Sequence, residues 1–149
     1  RLGLSAELVN ADAGEWRPSS PAKYVLLDAP CTATGTIRRH PDILHTKNRN
    51  DVEHATAIQD RLLDSAIAMM EPGGLLVFAT CSLQPEEGLE RVANLLMRRP
   101  ELQRVPLSSK ECDYLAPFIT DEGDLRTLPS HLEDQGGMDG FYAARLKRV

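Results

Sequence analysis

Residues 75–80 read Leu-Leu-Val-Phe-Ala-Thr, a nearly continuous apolar run that is typical of a strand buried on both faces of a sheet. Residues 23–28, Lys-Tyr-Val-Leu-Leu-Asp, predict a second strand, which an Ala-Pro pair ends. Between these strands, apolar residues from 55 to 70 recur at helical spacing, and Pro-Gly-Gly at 72–74 ends that helix. The order strand, helix, strand predicts an α/β domain with a mostly parallel sheet.

The remaining elements extend this pattern in both directions. We predict a short strand at 7–12, a helix at 85–99 that Pro100 ends, and two late strands at 102–105 and 141–146. The segment between the late strands is rich in glycine and proline and is predicted to be loop. The inner face of the helix at 85–99 is predicted to comprise Leu89, Val92, Ala93 and Leu96.

The composition describes an ordinary globular domain. The chain has 149 residues, a net charge of −5, 42% hydrophobic residues and 26% charged residues. No apolar run approaches the ~18 residues of a membrane helix. The three cysteines form no C-x-x-C motif, which favours a reducing, cytoplasmic location and disfavours a metal site. One of them, Cys112, is predicted to be structural.

Chemically active residues follow the predicted strands. Ligands of parallel α/β sheets bind beyond the carboxyl ends of the strands. Asp12, the segment 28–31 and the segment 80–82 should therefore meet at one edge of the sheet. This brings Cys31 and Cys81 close together. A free cysteine is commonly an inert core residue, and a disulfide is disfavoured in the cytoplasm, but two thiols at neighbouring strand ends favour chemistry.

The sequence around both thiols resembles the Sun-type (Nol/Nop/Sun) RNA cytosine-5 methyltransferases. Residues 24–42, YVLLDAPCTATGTIRRHPD, closely resemble the family's fourth motif, and residues 79–87, ATCSLQPEE, resemble the sixth. The ending DGFYAA at 139–144 also agrees. The resemblance covers nearly the whole chain, and the pair Asp-Ala-Pro-Cys and Thr-Cys-Ser is highly specific. It implies a Rossmann-like class I methyltransferase sheet with a late antiparallel strand.

The resemblance implies roles for three residues in catalysis. Carbon 5 of cytosine is a poor nucleophile until a thiolate adds to carbon 6 and increases its electron density. The resemblance assigns that attack to Cys81 and assigns assistance in the later release of the enzyme to Cys31. Asp28 can hydrogen-bond the edge of the base as the adduct forms.

The resemblance also implies S-adenosylmethionine as cofactor and RNA, with ribosomal RNA expected, as substrate. Asp12 corresponds to the acid that contacts the adenine, and Asp28 and Pro30 would lie against the cofactor. The target cytosine must be unpaired or flipped out to reach Cys81. The RNA contacts are expected from a basic segment at 37–49 with a balance of +3, through Arg38, Arg39 and His40.

The chain departs from the family's pattern upstream of the first strand. The Asp-x-Cys-Ala-Ala-Pro-Gly-Gly-Lys stretch of the cofactor loop does not occur, and neither does the acid that binds the ribose. We therefore expect residues 1–149 to be the C-terminal part of a single methyltransferase catalytic domain that lacks the first strands. This part alone is expected to be inactive, and its exposed strand edges are expected to cause self-association.

Three alternatives remain open on the sequence. In a DNA-type cytosine-5 methyltransferase, the cysteine after proline, Cys31, is the nucleophile, but Thr-Cys-Ser at 80–82 argues against this class. An amino-directed methyltransferase would favour an aromatic residue at position 31. A non-catalytic RNA-binding module could keep the same fold, although the retention of both thiols and Asp28 speaks against it.

Overall fold

The chain folds around a five-stranded sheet that carries helices on its surface. In the computed structural model, residues 3–108, 110–111 and 113–149 are described, so the expectation for Cys112 lies outside the described residues. The strands are β1 (Ala22–Asp28), β2 (Met70–Thr80), β3 (Leu102–Arg104), β4 (Leu125–Thr127) and β5 (Phe141–Arg148). The α-helices are α1 (Ile43–Thr46), α2 (Arg49–Met69) and α3 (Leu89–Arg98). Short 3-10 helices cover Thr34–Thr36, Pro85–Glu87, Asp113–Phe118 and Glu133–Gln135.

The sheet has the order β1-β2-β5-β3, and β4 pairs with β5 beside β3. β1 and β2 pair in parallel, while β5 runs antiparallel to each of its three partners. Four strands therefore share one direction and β5 alone opposes them. This confirms the predicted mostly parallel sheet with a late antiparallel strand. Because Asp28 pairs with Ala79, β1 and β2 end side by side at one edge of the sheet.

Helix α2 begins earlier than the apolar periodicity predicts. Asn48 caps it, its side chain accepting a hydrogen bond from the Asn50 N–H at 2.9 Å. The Asp51 carboxylate accepts one from the Asn48 N–H at 2.9 Å and so completes a capping box. The helix thus extends over Arg49–Met69. The Pro-Gly-Gly segment lies within the first part of β2, where the pairing with β1 is irregular, rather than in a separate turn.

The predicted strand at 7–12 is wrong. Residues 7–12 are irregular and exposed, and no strand of the described chain pairs with them. A strand needs a neighbour to satisfy its backbone N–H and C=O groups, and among the described strands β1 pairs only with β2. The short apolar pattern at 7–12 is therefore insufficient to form a strand here.

The core lies between the sheet and helices α2 and α3. Leu76, Phe78, Tyr142 and Leu146 from the sheet are almost completely buried. Helix α3 contributes Val92 and Leu95, with Leu96 partly buried against them, whereas Leu89 and Ala93 are exposed. The predicted inner face is therefore correct for Val92 and Leu96 and wrong for the other two. Helix α3 begins only at Leu89, after a separate 3-10 turn, so Leu89 lies at its exposed first position.

Electrostatic contacts fasten α3 to α2. Arg98 pairs with Asp60 at 2.6 Å, and Arg99 pairs with Asp64 at 2.7 Å. These arginines lie at the carboxyl end of α3, where the helix dipole also favours cations. None of the helices within the described residues is long and apolar enough to cross a membrane.

Candidate active site

The two thiols predicted to meet do so at the edge where β1 and β2 end. The Sγ atoms of Cys31 and Cys81 lie 3.5 Å apart, within hydrogen-bonding distance for sulfur, and either can be the donor. Both residues are partly buried and neither forms a disulfide. The arrangement follows from the parallel pairing of β1 with β2, since Cys81 directly follows β2 and Cys31 is the third residue after β1.

Burial, with smaller contributions from the neighbouring Cys81, raises the pKa of the Cys31 thiol to about 12. A backbone hydrogen bond at Ala33 acts in the opposite direction but does not outweigh burial. A thiol with a raised pKa stays protonated at neutral pH, and the thiolate is the nucleophilic form of cysteine. Cys31 is therefore suited to donate a hydrogen bond or proton to Cys81.

Asp28 and Pro30 lie beside the thiols and are exposed. The Asp28 carboxyl group makes no hydrogen bond or ion pair with any other residue that the structure describes. This leaves its oxygens available to a ligand that carries N–H donors, such as the edge of a cytosine. Its neighbour Ala29 donates a backbone hydrogen bond to the Ala79 carbonyl oxygen at 2.9 Å, which continues the strand pairing up to the site.

A buried carboxyl group joins the two cysteine loops. Glu87 accepts hydrogen bonds from the Thr32 N–H at 2.9 Å and from the Ser82 hydroxyl at 2.6 Å. The Thr32 hydroxyl donates to the same carboxyl group, and Gln59 of α2 donates to it at 3.1 Å. Gln59 also donates to the Pro30 carbonyl oxygen at 2.9 Å. We call these four side chains, Glu87, Thr32, Ser82 and Gln59, the Glu87 network.

Three backbone segments meet directly behind the thiols. The Gly35 N–H donates to the Cys81 carbonyl oxygen at 2.8 Å, and the Gly140 N–H donates to the Gly35 carbonyl oxygen at 2.8 Å. A Cβ atom at Gly35 would lie 2.1 Å from the Gly140 carbonyl oxygen. Only glycine allows this approach, which places the loop before β5 at the same edge as the cysteines.

Arg126 supports the Cys81 loop from the side of β4. Its guanidinium donates to the Ser82 carbonyl oxygen at 2.9 Å and to the Leu83 carbonyl oxygen at 2.8 Å. Burial lowers the pKa of Arg126. Both carbonyl groups lie in an irregular loop, so the arginine supplies the donors that a neighbouring strand would supply in a sheet.

The basic residues predicted to face RNA lie close to the thiols but are engaged with the chain itself. Arg39 pairs with Asp139 at 2.6 Å, and Arg38 donates to the Gly136 carbonyl oxygen at 2.6 Å. The hydrogen bond that Arg39 donates to the Asp139 carboxylate raises the pKa of Arg39. Arg38, Arg39 and His40 are all exposed. The two arginines therefore connect the segment after Cys31 to the loop that precedes β5.

Two other cations of the basic segment line a surface cavity of about 410 Å³. Lys47 and Arg49 form part of its wall, together with the apolar side chains of Ile37, Leu44, Val52 and Leu83. A smaller cavity beside Cys31 shares Lys47 and Thr32 with it. A cationic and apolar surface thus continues from the thiols along the start of α2.

Asp12 does not lie at this edge. Its carboxylate accepts hydrogen bonds from the Gly14 N–H at 2.7 Å and from Arg61 at 3.0 Å, and these contacts lower its pKa. The residues after it border an apolar cavity of about 350 Å³ whose wall includes Trp16, Tyr24 and Leu26. Asp28 and Pro30, which are predicted to contact the cofactor, are exposed beside the thiols, whereas the Asp12 carboxylate is engaged by Arg61. The described residues contain no group of three or more His, Cys, Asp and Glu that could hold a metal ion.

Glu87, Gln59 and Arg126 were not predicted as site residues. Pro85 marks a helix start in the sequence, and this pattern gives Glu87 no role in the site. Gln59 lies on the buried face of α2 among apolar residues, and a polar residue in that position is a signal that sequence could have provided. Arg126 is the single basic residue among seven acids at 113–139, which is a comparable signal.

Comparison with known proteins agrees with this geometry. The family model for the 16S rRNA methyltransferase RsmB/F matches residues 1–147. The chain is 40% identical to ribosomal RNA small subunit methyltransferase B of Pseudomonas syringae pv. tomato, with 100% of this chain and 33% of that protein covered. It is 39% identical to the protein of the same name from Thermus thermophilus, covering 100% and 35%. The chain spans about a third of the length of these curated relatives.

Solved structures show the same fold. NSun6 from Pyrococcus horikoshii, determined with SFG, has a TM-score of 0.74 and 28% identity, over 96% of this chain and 34% of that one. A methyltransferase homolog protein from the same organism has a TM-score of 0.65 and 27% identity, over 87% and 40%. The sheet described above is thus a methyltransferase sheet.

Proposed function

Because the chain belongs to the RsmB/F family of 16S rRNA methyltransferases, we propose that it carries the reacting residues of an enzyme that methylates carbon 5 of a cytosine in ribosomal RNA. The observation that supports this best is the neutral Cys31 thiol 3.5 Å from Cys81, with the unpartnered Asp28 carboxyl beside them. This chain spans about a third of the length of its relatives, and the activity of the whole enzyme is inferred from that third.

In the first step, the Cys81 thiolate adds to carbon 6 of the cytosine. A bond forms between Sγ and carbon 6, and the electrons of the 5,6 double bond move to carbon 5, which becomes nucleophilic. Asp28 accepts hydrogen bonds from the edge of the base and holds it against the thiol. The cytosine must leave any helix to expose this face.

S-adenosylmethionine supplies the methyl group that carbon 5 receives. SFG, bound to the NSun6 relative, is an analogue of this cofactor. On this chain, Asp28 and Pro30 are the residues placed to contact it beside the thiols. Asp12 would contribute only after exchanging its contact with Arg61.

The last step expels the enzyme. A base removes the proton from carbon 5, the double bond between carbons 5 and 6 re-forms, and the bond to Sγ of Cys81 breaks with its electrons on sulfur. The Cys31 S–H can donate to this departing thiolate at the observed separation of 3.5 Å. The role of Cys31 is thus to lower the energy of the leaving group.

The proposed substrate contacts are those of Arg38, Arg39 and His40, which lie on the exposed side of the loop after Cys31. Their phosphate contacts would position the RNA strand without reading its sequence. The cytoplasmic location predicted from the cysteines remains a prediction and agrees with a ribosomal substrate.

The runner-up is a DNA-type reaction in which Cys31 is the nucleophile. The raised pKa of Cys31 disfavours it, since a protonated thiol does not add to a pyrimidine. A non-catalytic RNA-binding role would not require two thiols within contact of each other.

The test uses the full-length enzyme and RNA that contains 5-fluorocytidine. Fluorine at carbon 5 prevents the final proton loss, so the enzyme should remain covalently attached to the RNA and migrate with it on a denaturing gel. Peptide mapping should locate the attachment at Cys81. Attachment at Cys31 would support the DNA-type mechanism instead, and no attachment at all would contradict the proposed reaction.

A further inference from the structure

Glu87 has a buried carboxyl group that the steps above do not use. Its side chain is fully buried, with 0% exposure. Oε1 accepts from the Thr32 N–H at 2.9 Å and from Gln59 at 3.1 Å, while Oε2 accepts from the Ser82 hydroxyl at 2.6 Å and from the Thr32 hydroxyl. Each oxygen thus has two donors, which matches the full acceptor capacity of a carboxyl group.

The donors belong to residues adjacent to the two thiols. Thr32 directly follows Cys31, and Ser82 directly follows Cys81. The Thr80 hydroxyl, on the other side of Cys81, donates to the Glu87 carbonyl oxygen at 3.3 Å. One residue therefore connects the end of β1 to the end of β2 through the backbone and side chains that flank the cysteines.

Burying this carboxyl group has no compensation from a cation. None of the ion pairs formed by the described residues includes Glu87, so hydrogen bonds alone offset its loss of hydration. An apolar side chain would fill the same space without that desolvation cost. The carboxyl group is therefore better explained by the geometry that it imposes on the two loops than by packing.

We propose that Glu87 is a positioning residue that fixes the separation and relative orientation of the Cys31 and Cys81 thiols. The inference rests on the proposed function, because in its last step Cys31 must lie within hydrogen-bonding distance of Cys81 as the bond between Cys81 and the base breaks. A misplacement of about 1 Å can reduce the rate of a reaction by about a hundredfold. Loops that leave two different strands need such a connection to keep two sulfur atoms in register.

The geometry can be measured without methylation, using phenylarsine oxide as a probe. Its arsenic forms two As–S bonds with a pair of close thiols, and the two thiol protons leave with the oxygen as water, with no change of oxidation state. The parent protein should bind it through both cysteines with one-to-one stoichiometry. In Glu87→Gln, one acceptor oxygen becomes an NH₂ donor facing other donors, and we expect the affinity to fall about tenfold or more.

The matched control is Glu90→Gln, the same exchange at an exposed position of α3, which should bind the probe like the parent. All affinities are measured below the unfolding temperature of each variant. A purely structural role for Glu87 would lower that temperature and leave the affinity of the folded protein unchanged. Equal affinities of the folded parent and Glu87→Gln would therefore overturn the proposal.

Ser82→Ala provides the decisive measurement if Glu87→Gln does not fold. It removes one hydrogen bond of the Glu87 network and should also lower the affinity for phenylarsine oxide. An unchanged affinity would refute the proposal. In the full-length enzyme, Glu87→Gln should lower kcat about 10- to 100-fold with little change in KM. A parent enzyme that binds the probe but methylates no RNA would contradict the proposed function and leave the positioning role intact.

Discussion

The Sγ atom of Cys31 lies 3.5 Å from the Sγ atom of Cys81, although 50 positions separate the two residues in sequence. The roles that we propose for the two thiols differ. Burial raises the pKa of Cys31 to about 12 and keeps this thiol protonated at neutral pH. Because one of the two contacting thiols is neutral, we expect substitutions of the two cysteines to have different effects.

Replacing each cysteine should have opposite effects on covalent RNA capture. In the full-length enzyme, Cys81→Ala should abolish methylation and any adduct, because no thiolate remains to add to carbon 6. Cys31→Ala should accumulate the adduct, because formation proceeds while expulsion loses its hydrogen-bond donor. Denaturing gels with labelled RNA measure both. If Cys81→Ala traps RNA and Cys31→Ala does not, the two roles are reversed.

The raised pKa of Cys31 predicts slow alkylation. The folded protein favours the neutral thiol, so the thiolate form of Cys31 should become populated only as the pH rises toward about 12, above the ordinary value of 9.0. Iodoacetamide labelling between pH 7 and 10, resolved by mass spectrometry, should therefore modify Cys31 far more slowly in the folded than in the urea-unfolded protein. Equal rates in the two states would show that burial does not protect this thiol.

Arg126→Met should destabilise the chain and impair the Cys81 loop. The substitution keeps the length of an apolar stem but removes both donors to the Ser82 and Leu83 carbonyl oxygens. Leaving such groups without donors costs about 1–3 kcal/mol in the free energy of unfolding. Urea unfolding measures this loss. Arg49→Met, at an exposed position, is the control and should change the free energy by less than about 0.5 kcal/mol.

RNA binding should depend on salt through the arginines after Cys31. Arg38→Ala combined with Arg39→Ala should weaken binding and flatten the plot of log affinity against log salt by about 0.7 for each lost phosphate contact. The comparison variant is Lys47→Ala with Arg49→Ala, which removes the cations of the neighbouring cavity. If the slope of log affinity against log salt is unchanged in the first variant and flatter in the second, the RNA binds at that cavity instead.

The isolated 149-residue chain should show no saturable S-adenosylmethionine binding at micromolar concentrations. Residues 1–149 contain no glycine-rich cofactor loop, and Asp28 and Pro30 alone leave a ligand on an open edge without the burial that a small-molecule site provides. Isothermal titration calorimetry tests this directly. Stoichiometric micromolar binding would mean that the chain builds the pocket in another way.

The same chain should self-associate through β1. No strand among the described residues pairs with one edge of β1, and the side chains of Tyr24 and Leu26 in this strand are 70% and 72% exposed. Leu26→Lys should shift light-scattering profiles toward the monomer. Met97→Lys replaces an equally exposed apolar residue on α3 and should leave the association unchanged. A parent chain that is already monodisperse and monomeric would contradict this prediction.

The sequence allowed prediction of those features that depend on local pattern. The apolar run of β2 and the Asp-Ala-Pro-Cys end of β1 identify two neighbouring parallel strands, and parallel strands necessarily bring Cys31 and Cys81 to one edge. By contrast, residues 7–12 have the short apolar pattern of a strand but no partner among the described strands. Local pattern cannot report whether a neighbour is present.

The supporting residues were harder to predict because their roles exist only in three dimensions. Glu87 and Arg126 are charged residues in polar segments, and most such residues are solvated. Their importance arises from backbone groups of distant loops that would otherwise lack hydrogen-bond partners. The start of α3 is a further example. The sequence predicts a helix from Pro85, but Glu87 is buried in a 3-10 turn and the helix begins at Leu89.

The position of β5 has a consequence for how the protein folds during synthesis. This strand follows all the others in the chain, yet it lies inside the sheet, between β2 on one side and β3 and β4 on the other. A ribosome releases the earlier strands first, and they must wait with unpaired edges until β5 emerges. Gly140, which directly precedes β5 and donates a hydrogen bond to the Gly35 carbonyl oxygen behind the thiols, is synthesised at the same stage. The nascent chain therefore holds Cys31 and Cys81 without this support until β5 has emerged, a period in which a chaperone that shields strand edges would be of most use.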